Sequence, residues 1–186
     1  MKKYKLCLKK SISLESLATD EIIELGYFYD TTQKTSLMEI ILLDDCYNKT
    51  GSHCSVNHFE AGEFYNEPAN VCAISVQYYE NWFLQSPKFL EALFAHELGH
   101  VINGDILRYT EKNNKLRISQ VRKASVQLEE LEADEFAASL VGIDLFIEFL
   151  KEMVKKRQKR NDQGAILAIA EFIKRIEHLE NIKSHI

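Results

Sequence analysis

Two histidines and a glutamate stand together in the segment His96-Glu97-Leu98-Gly99-His100. Histidines four residues apart share one face of a helix, with Cβ atoms roughly 5 to 6 Å apart. Both imidazoles can then reach one ion at about 2.0 to 2.1 Å, the length of a zinc–nitrogen bond. Zinc is the expected metal, with His96 and His100 as ligands. Glu97, next to the first ligand, projects beside the ion and can take a proton from water, whose pKa zinc lowers toward about 7. The competing reading is a pair of surface histidines on an ordinary amphipathic helix, and it loses weight if a third ligand is at hand.

A catalytic zinc keeps three protein ligands and leaves a fourth position for water, and the acidic segment Glu129-Glu130-Leu131-Glu132-Ala133-Asp134-Glu135 offers the third. Glu130, Ala133, Asp134 and Ala137 share one helical face by their spacing, and the two alanines would let this helix approach the first closely. Glu130 is therefore the expected third ligand, with Glu132 as its main rival. Asp134, one turn further on, is placed to hold a ligand histidine through its second ring nitrogen. Glu129 and Glu135 read as a solvated face. Cys46, His53, Cys54 and His58 form a weaker candidate for a second metal site, because their spacing fits no common ligand pattern. An oxyanion stabiliser is also needed; Tyr109, His178 and several arginines are open, none preferred.

The elements that must position these residues are legible in part. Ser86 suits an N-cap, Pro87 the first helical position and Gly104 a left-handed residue after the last turn, which bounds a helix near 87 to 103. A second helix is expected over about 119 to 141, ending at Gly142. A third runs from Asp144 into Lys155-Lys156-Arg157-Gln158-Lys159-Arg160, which reads as a solvated basic face, and a fourth follows Asn161-Asp162. In that last helix Ile166, Ile169, Ala170, Ile173, Ile176 and Leu179 form one apolar stripe that must pack against something. Earlier in the chain, Tyr4, Leu6 and Leu8 alternate as in a half-buried strand. Ser13 to Leu25 carries apolar residues at helical spacing. Leu37 to Leu43 and Val71 to Val76 read as two strands separated by a long loop containing Gly51, Gly62 and Pro68.

Composition narrows the class further. The 186 residues are 46% apolar and 27% charged with two prolines, which favours one compact domain over a disordered chain. We divide it as 1–67 (strand and helix), 68–142 (zinc-site core) and 143–186 (a helical pair). A chain of this size can bury a sizeable core without a structural metal, so a metal site reads as functional. Lysine plus arginine total 23 against 28 acidic residues, a net charge of −5, which argues against nucleic acid as the main ligand. No stretch approaches the roughly 18 uncharged apolar residues of a membrane span, and no apolar signal segment follows the basic N-terminus. The four cysteines form no dense framework and read as reduced thiols of a cytoplasmic protein.

His96 to His100 continues as Val101-Ile102-Asn103-Gly104-Asp105. With Glu130-Leu131-Glu132-Ala133-Asp134 it resembles the HExxH-plus-ExxAD arrangement of zinc metallopeptidases of the gluzincin type. The HExxHxxNGD stretch is similar to HtpX-type peptidases and their CAAX prenyl-endopeptidase relatives, most of which are membrane-embedded. Glu130 to Ala138, with its Phe136-Ala137 pair, is also similar to ImmA/IrrE-type soluble peptidases, which cleave repressor proteins. The resemblance spans roughly Pro68 to Gly142. It implies a zincin-like fold, zinc on His96, His100 and Glu130, and Glu97 as the base. Zincin-type proteases commonly line the cleft with an edge strand that pairs with extended substrate, which makes Val71, Ala73 and Ser75 expected substrate-binding positions.

The expected fold is thus α+β, with a small strand-containing N-terminal portion over the zinc helix and a helical C-terminal half. The expected activity is that of a soluble zinc endopeptidase acting on a protein or peptide. One alternative is a protease-like zinc-binding regulatory or interaction module without hydrolysis. The other is a peptide deformylase-like hydrolase with Cys54 as a ligand, although Gly51-Ser52-His53-Cys54-Ser55 lacks that family's flanking pattern.

Overall fold

The computed structural model describes residues 3–8, 22–43, 54–59, 61, 66–83, 86–105, 119–159 and 162–185. Five strands, β1 (Tyr4–Leu8), β2 (Ile22–Asp30), β3 (Thr35–Leu43), β4 (Cys54–Phe59) and β5 (Ala69–Ile74), make one sheet in the order β1-β2-β3-β5-β4. β1, β2 and β3 are antiparallel neighbours, β3 and β5 run parallel with Ile40 opposite Cys72, and β4 returns antiparallel on β5 with Val56 opposite Cys72. Five helices are described: α1 (Val76–Phe83), α2 (Pro87–Ile102), α3 (Ser119–Val141), α4 (Ile143–Gln158) and α5 (Gln163–Ser184). The architecture is α+β, as the sequence led us to expect.

The core is built around α2. Phe28, Met38, Ile40, Leu42, Cys72 and Ile74 line the inner face of the sheet and join Leu90, Phe94 and Leu98 of α2 in one cluster, which continues into Phe146 and Leu150 of α4 and Leu179 of α5. A helix apolar nearly all round belongs in the interior. α2 meets the sheet on one side and α3 and α4 on the other. Its start is as expected, with Pro87 in the first turn, although the Ser86 side chain makes no capping bond. Asp162 does cap α5, accepting from the Ala165 amide at 2.8 Å. Gly142 takes φ of 103°, a conformation unfavourable to other residues, and so α3 turns directly into α4.

Several expectations are corrected. Residues 13–21 of the helix proposed for Ser13 to Leu25 lie outside the described residues, and Ile22 to Leu25 belong to β2. There Leu25 and Phe28 are buried, and the pairing of Ile22, Ile23 and Glu24 with β3 overrides the helical spacing. The stretch read as a long loop contains β4. The strand read as Val71 to Val76 is Ala69–Ile74, and Val76 opens α1, whose first turn is tied by the Tyr78 amide to Ser75 Oγ at 3.2 Å. A third of the α5 stripe, Ile176 and Leu179, is buried as expected. Ile166 and Ile173 remain 62% and 43% exposed. No helix among the described residues is long and apolar enough to cross a membrane.

Candidate metal centre

α2 and α3 meet at Gly99 and Ala133. A Cβ on residue 99 would stand 2.8 Å from Ala133 Cα and 2.9 Å from its carbonyl oxygen, so only glycine allows this approach. Ala133 and Ala137 are fully buried, in keeping with the reading that this face lets the helices close. His96 and His100 flank the contact on α2, and Glu130 sits one turn before it on α3.

This approach gathers three donors. His96 Nε2 and His100 Nε2 are 3.3 Å apart, and Glu130 lies across both, with Oε2 3.5 Å from His96 Nε2 and Oε1 3.5 Å from His100 Nε2. An ion held tetrahedrally with bonds of about 2.1 Å needs its donors about 3.4 Å apart. The separations fit, and His96, His100 and Glu130 form a group that could hold a metal ion. No other cluster of three His, Cys, Asp or Glu donors is that compact among the described residues. Glu132, the rival ligand, is not part of the group.

Each histidine is oriented from behind. His96 Nδ1 is 2.9 Å from Asp134 Oδ1, and His100 Nδ1 is 2.9 Å from Asp105 Oδ2. An ionised carboxylate can only accept, so both Nδ1 atoms carry a proton, and it is the Nε2 atoms, which face Glu130, that are left to offer a lone pair to an ion. Asp134 thus has the role read for it. In the sequence Asp105 is only the last residue of the HExxHxxNGD stretch, and its place follows from the chain curling back after α2 to bring it, 6% exposed, against His100.

Arg175 of α5 completes the cluster. Its Nε and Nη2 each donate to one oxygen of Asp134 at 2.6 Å, and its Nη1 donates to Glu130 Oε2 at 2.8 Å. The Phe172 ring lies 5.2 Å from the guanidinium carbon. No local signal links Arg175 to residues more than 40 positions earlier, and among the arginines left open for oxyanion stabilisation nothing in the sequence singled it out.

The charges explain one another. Burial opposes a charged imidazole, yet the carboxylates of Asp134 and Glu130 raise His96, and those of Asp105 and Glu130 push His100 up to about 10. Burial likewise opposes the carboxylates, but His100 and His96 hold Glu130 well below its usual range, and Arg175 and His96 do the same for Asp134. Burial would lower Arg175, and Asp134 and Glu130 more than offset it. Asp134, Glu130 and Glu97 act on Arg175 and Asp105 on His100, so four carboxylates surround one guanidinium and two imidazoles. Glu97 is half-buried and follows His96 by about 100° of helix rotation, and its charge helps to raise both His100 and Arg175.

The remaining candidates lie elsewhere. β5 is hydrogen-bonded to β3 on one side and to β4 on the other, so Val71 and Ala73 are on an interior strand, and Ser75 is buried beyond its end. The edge-strand role expected for them is corrected: the outermost described strand on that side is β4. His178 bonds Glu135 at 2.6 Å on a more exposed surface, outside the donor group. Cys54 contacts Cys72 across the sheet with sulfurs 3.6 Å apart, His58 Nδ1 meets Asn70 Oδ1 at 2.9 Å, and neither belongs to the donor group found among the described residues. Tyr109, Cys46 and His53 lie outside the described residues.

Compared with protein-family models, curated proteins and solved structures, the chain matches none.

Proposed function

We propose that the chain is a zinc-dependent endopeptidase. The observation that carries the reading is the convergence of His96, His100 and Glu130, with the two Nε2 atoms 3.3 Å apart and one Glu130 oxygen 3.5 Å from each, and with Glu97 following the first of them. Two imidazoles and one carboxylate suit zinc, and a structural zinc would more often be closed by a fourth Cys or His. The resemblance of His96 to Asp105 and of Glu130 to Asp134 to gluzincin-type peptidases points the same way.

A zinc ion at these donors supplies Lewis acidity toward water and toward a peptide carbonyl. Glu97 accepts a proton from the attacking water and passes it to the departing amine nitrogen, so the same carboxyl group serves as base and then as acid. Asp134 and Asp105 keep the ligand histidines in the tautomer that offers Nε2. An extended peptide would pair with β4, the outer strand that packs near α2, and backbone pairing of that kind makes recognition broad. The substrate in this reading is a protein or peptide, and the compartment the cytoplasm.

Against the deformylase alternative, Glu130 stands beside His96 and His100, where that reading calls for Cys54. The non-hydrolytic module remains the reading to test against. Glu97→Gln is expected to retain about one zinc per chain by elemental analysis and to cleave a mixed peptide library at least about 100-fold more slowly than wild type. Equal cleavage by the variant would refute the mechanism. Zinc-loaded wild type that cleaves nothing would favour the binding module.

A further inference from the structure

Glu130 presents its two oxygens to the two imidazoles at the same separation, 3.5 Å each. On distance alone either oxygen, or both, could bind an ion. Arg175 breaks the symmetry, because its Nη1 donates to Oε2 alone at 2.8 Å. The guanidinium cannot swing away: Nε and Nη2 are both committed to Asp134 at 2.6 Å, Asp134 is fully buried, and the Arg175 side chain is itself only 13% exposed. Because the fork is planar, fixing two of its nitrogens on Asp134 fixes the direction of the third.

We infer that Arg175 is a positioning residue that sets how Glu130 binds the metal, holding Oε2 so that Glu130 coordinates through Oε1 alone and is aligned before the ion arrives. The consequence is coordinative. A carboxylate bound through both oxygens would take up the room a fourth ligand needs, whereas one bound through a single oxygen leaves the open position that catalytic sites keep. Arg175 also gives Asp134 a permanent cationic partner, so the line from Asp134 through His96 to the ion is fixed at its far end. The inference rests on the metal-centre part of the proposed function and is independent of hydrolysis.

The test uses the full chain with cobalt(II) alone as a spectroscopic probe and zinc affinity measured by chelator competition. Wild type should give the intense visible bands of four-coordinate cobalt. Arg175→Met is expected to weaken zinc binding about 10- to 100-fold, the range for loss of a partner behind a ligand, and to give the weaker bands of a higher-coordinate ion. Arg175→Lys retains charge without the fork and should recover part of the affinity but not the wild-type spectrum. Should Arg175→Met fail to fold because Asp134 is left buried and unpaired, the double variant Arg175→Met/Asp134→Asn removes that charge and is compared with Asp134→Asn. Wild type that binds neither cobalt nor zinc would sink the metal centre itself. Wild-type binding with an unchanged spectrum and zinc affinity in the Arg175 variants would sink this inference alone.

Discussion

Gly99→Ala tests whether helix approach sets the metal geometry. The added methyl would lie 2.8 Å from Ala133 Cα, 2.9 Å from its carbonyl oxygen and 3.1 Å from its Cβ. Carbon atoms prefer about 3.5 to 4.0 Å, so α2 and α3 must separate by about 0.7 Å or more. Two of the three contacts are with backbone, and no change of rotamer relieves them. Overpacking of this kind costs about 1 to 3 kcal/mol, against a helical gain of about 0.5 to 1 kcal/mol from replacing glycine. The net loss should be up to about 2.5 kcal/mol, a fall in Tm of up to roughly 10 °C for a chain of this size. Glu130 rides on α3, so the same separation would stretch its 3.5 Å spacings to about 4 Å, beyond the roughly 3.4 Å a tetrahedral ion needs. Zinc affinity should fall about tenfold or more, as when a ligand's support is removed. Thermal unfolding of the metal-free protein and chelator competition measure the two effects separately. Adding Ala133→Gly relieves only the Cβ contact and should rescue in part. Unchanged Tm together with unchanged zinc affinity in Gly99→Ala would refute the claim that this contact spaces the ligands.

Two further outcomes follow from the charges around the ligands. Asp105→Asn should weaken zinc binding by about 10- to 100-fold, because the His100 ring loses its anionic partner; titration against a competing chelator would show it, and no change would mean that His100 is oriented without Asp105. The metal-free protein should be most stable in mildly acidic solution. The folded pKa values of Glu130 and Asp134 are depressed, so their contribution is present above the ordinary 4.5 and 3.8 and is lost as pH falls below them. His96 and His100 are raised, so theirs is complete below 6.5 and declines as pH climbs through their folded values, about 10 for His100. Urea unfolding in the presence of chelator should therefore give midpoints that peak between about pH 4.5 and 6.5 and fall toward pH 9. A midpoint that rises steadily from pH 6 to 9 would contradict this account of the cluster.

Where the sequence was read correctly, the relevant physics was local. Helix α2 is bounded by Pro87 and Gly104, and the four-residue spacing of His96 and His100 fixes a shared face wherever that helix packs. The same periodicity put Glu130, Asp134 and the two alanines on one side of α3 and preferred Glu130 to Glu132. Where it failed, partners distant in the chain decided. Ile22 to Leu25 are compatible with a helix until β3 offers Ile22, Ile23 and Glu24 antiparallel partners. β4 was read as loop because half of Cys54–Phe59 is polar, and its place beside β5 is a pairing no local pattern announces. That pairing in turn moved the sheet edge away from Val71 and Ala73.

The sequence by itself determined which residues could bind an ion, since ligand type and helical spacing are properties of short segments. The tertiary structure decided whether they converge. It brought α3 onto α2 at Gly99, turned Asp105 back on His100, and carried Arg175 from the last helix to clamp Glu130 and Asp134. The reason is that a buried charge must find an opposite charge at hydrogen-bonding distance wherever the packed helices bring one, and packing, unlike periodicity, joins residues without regard to their distance along the chain.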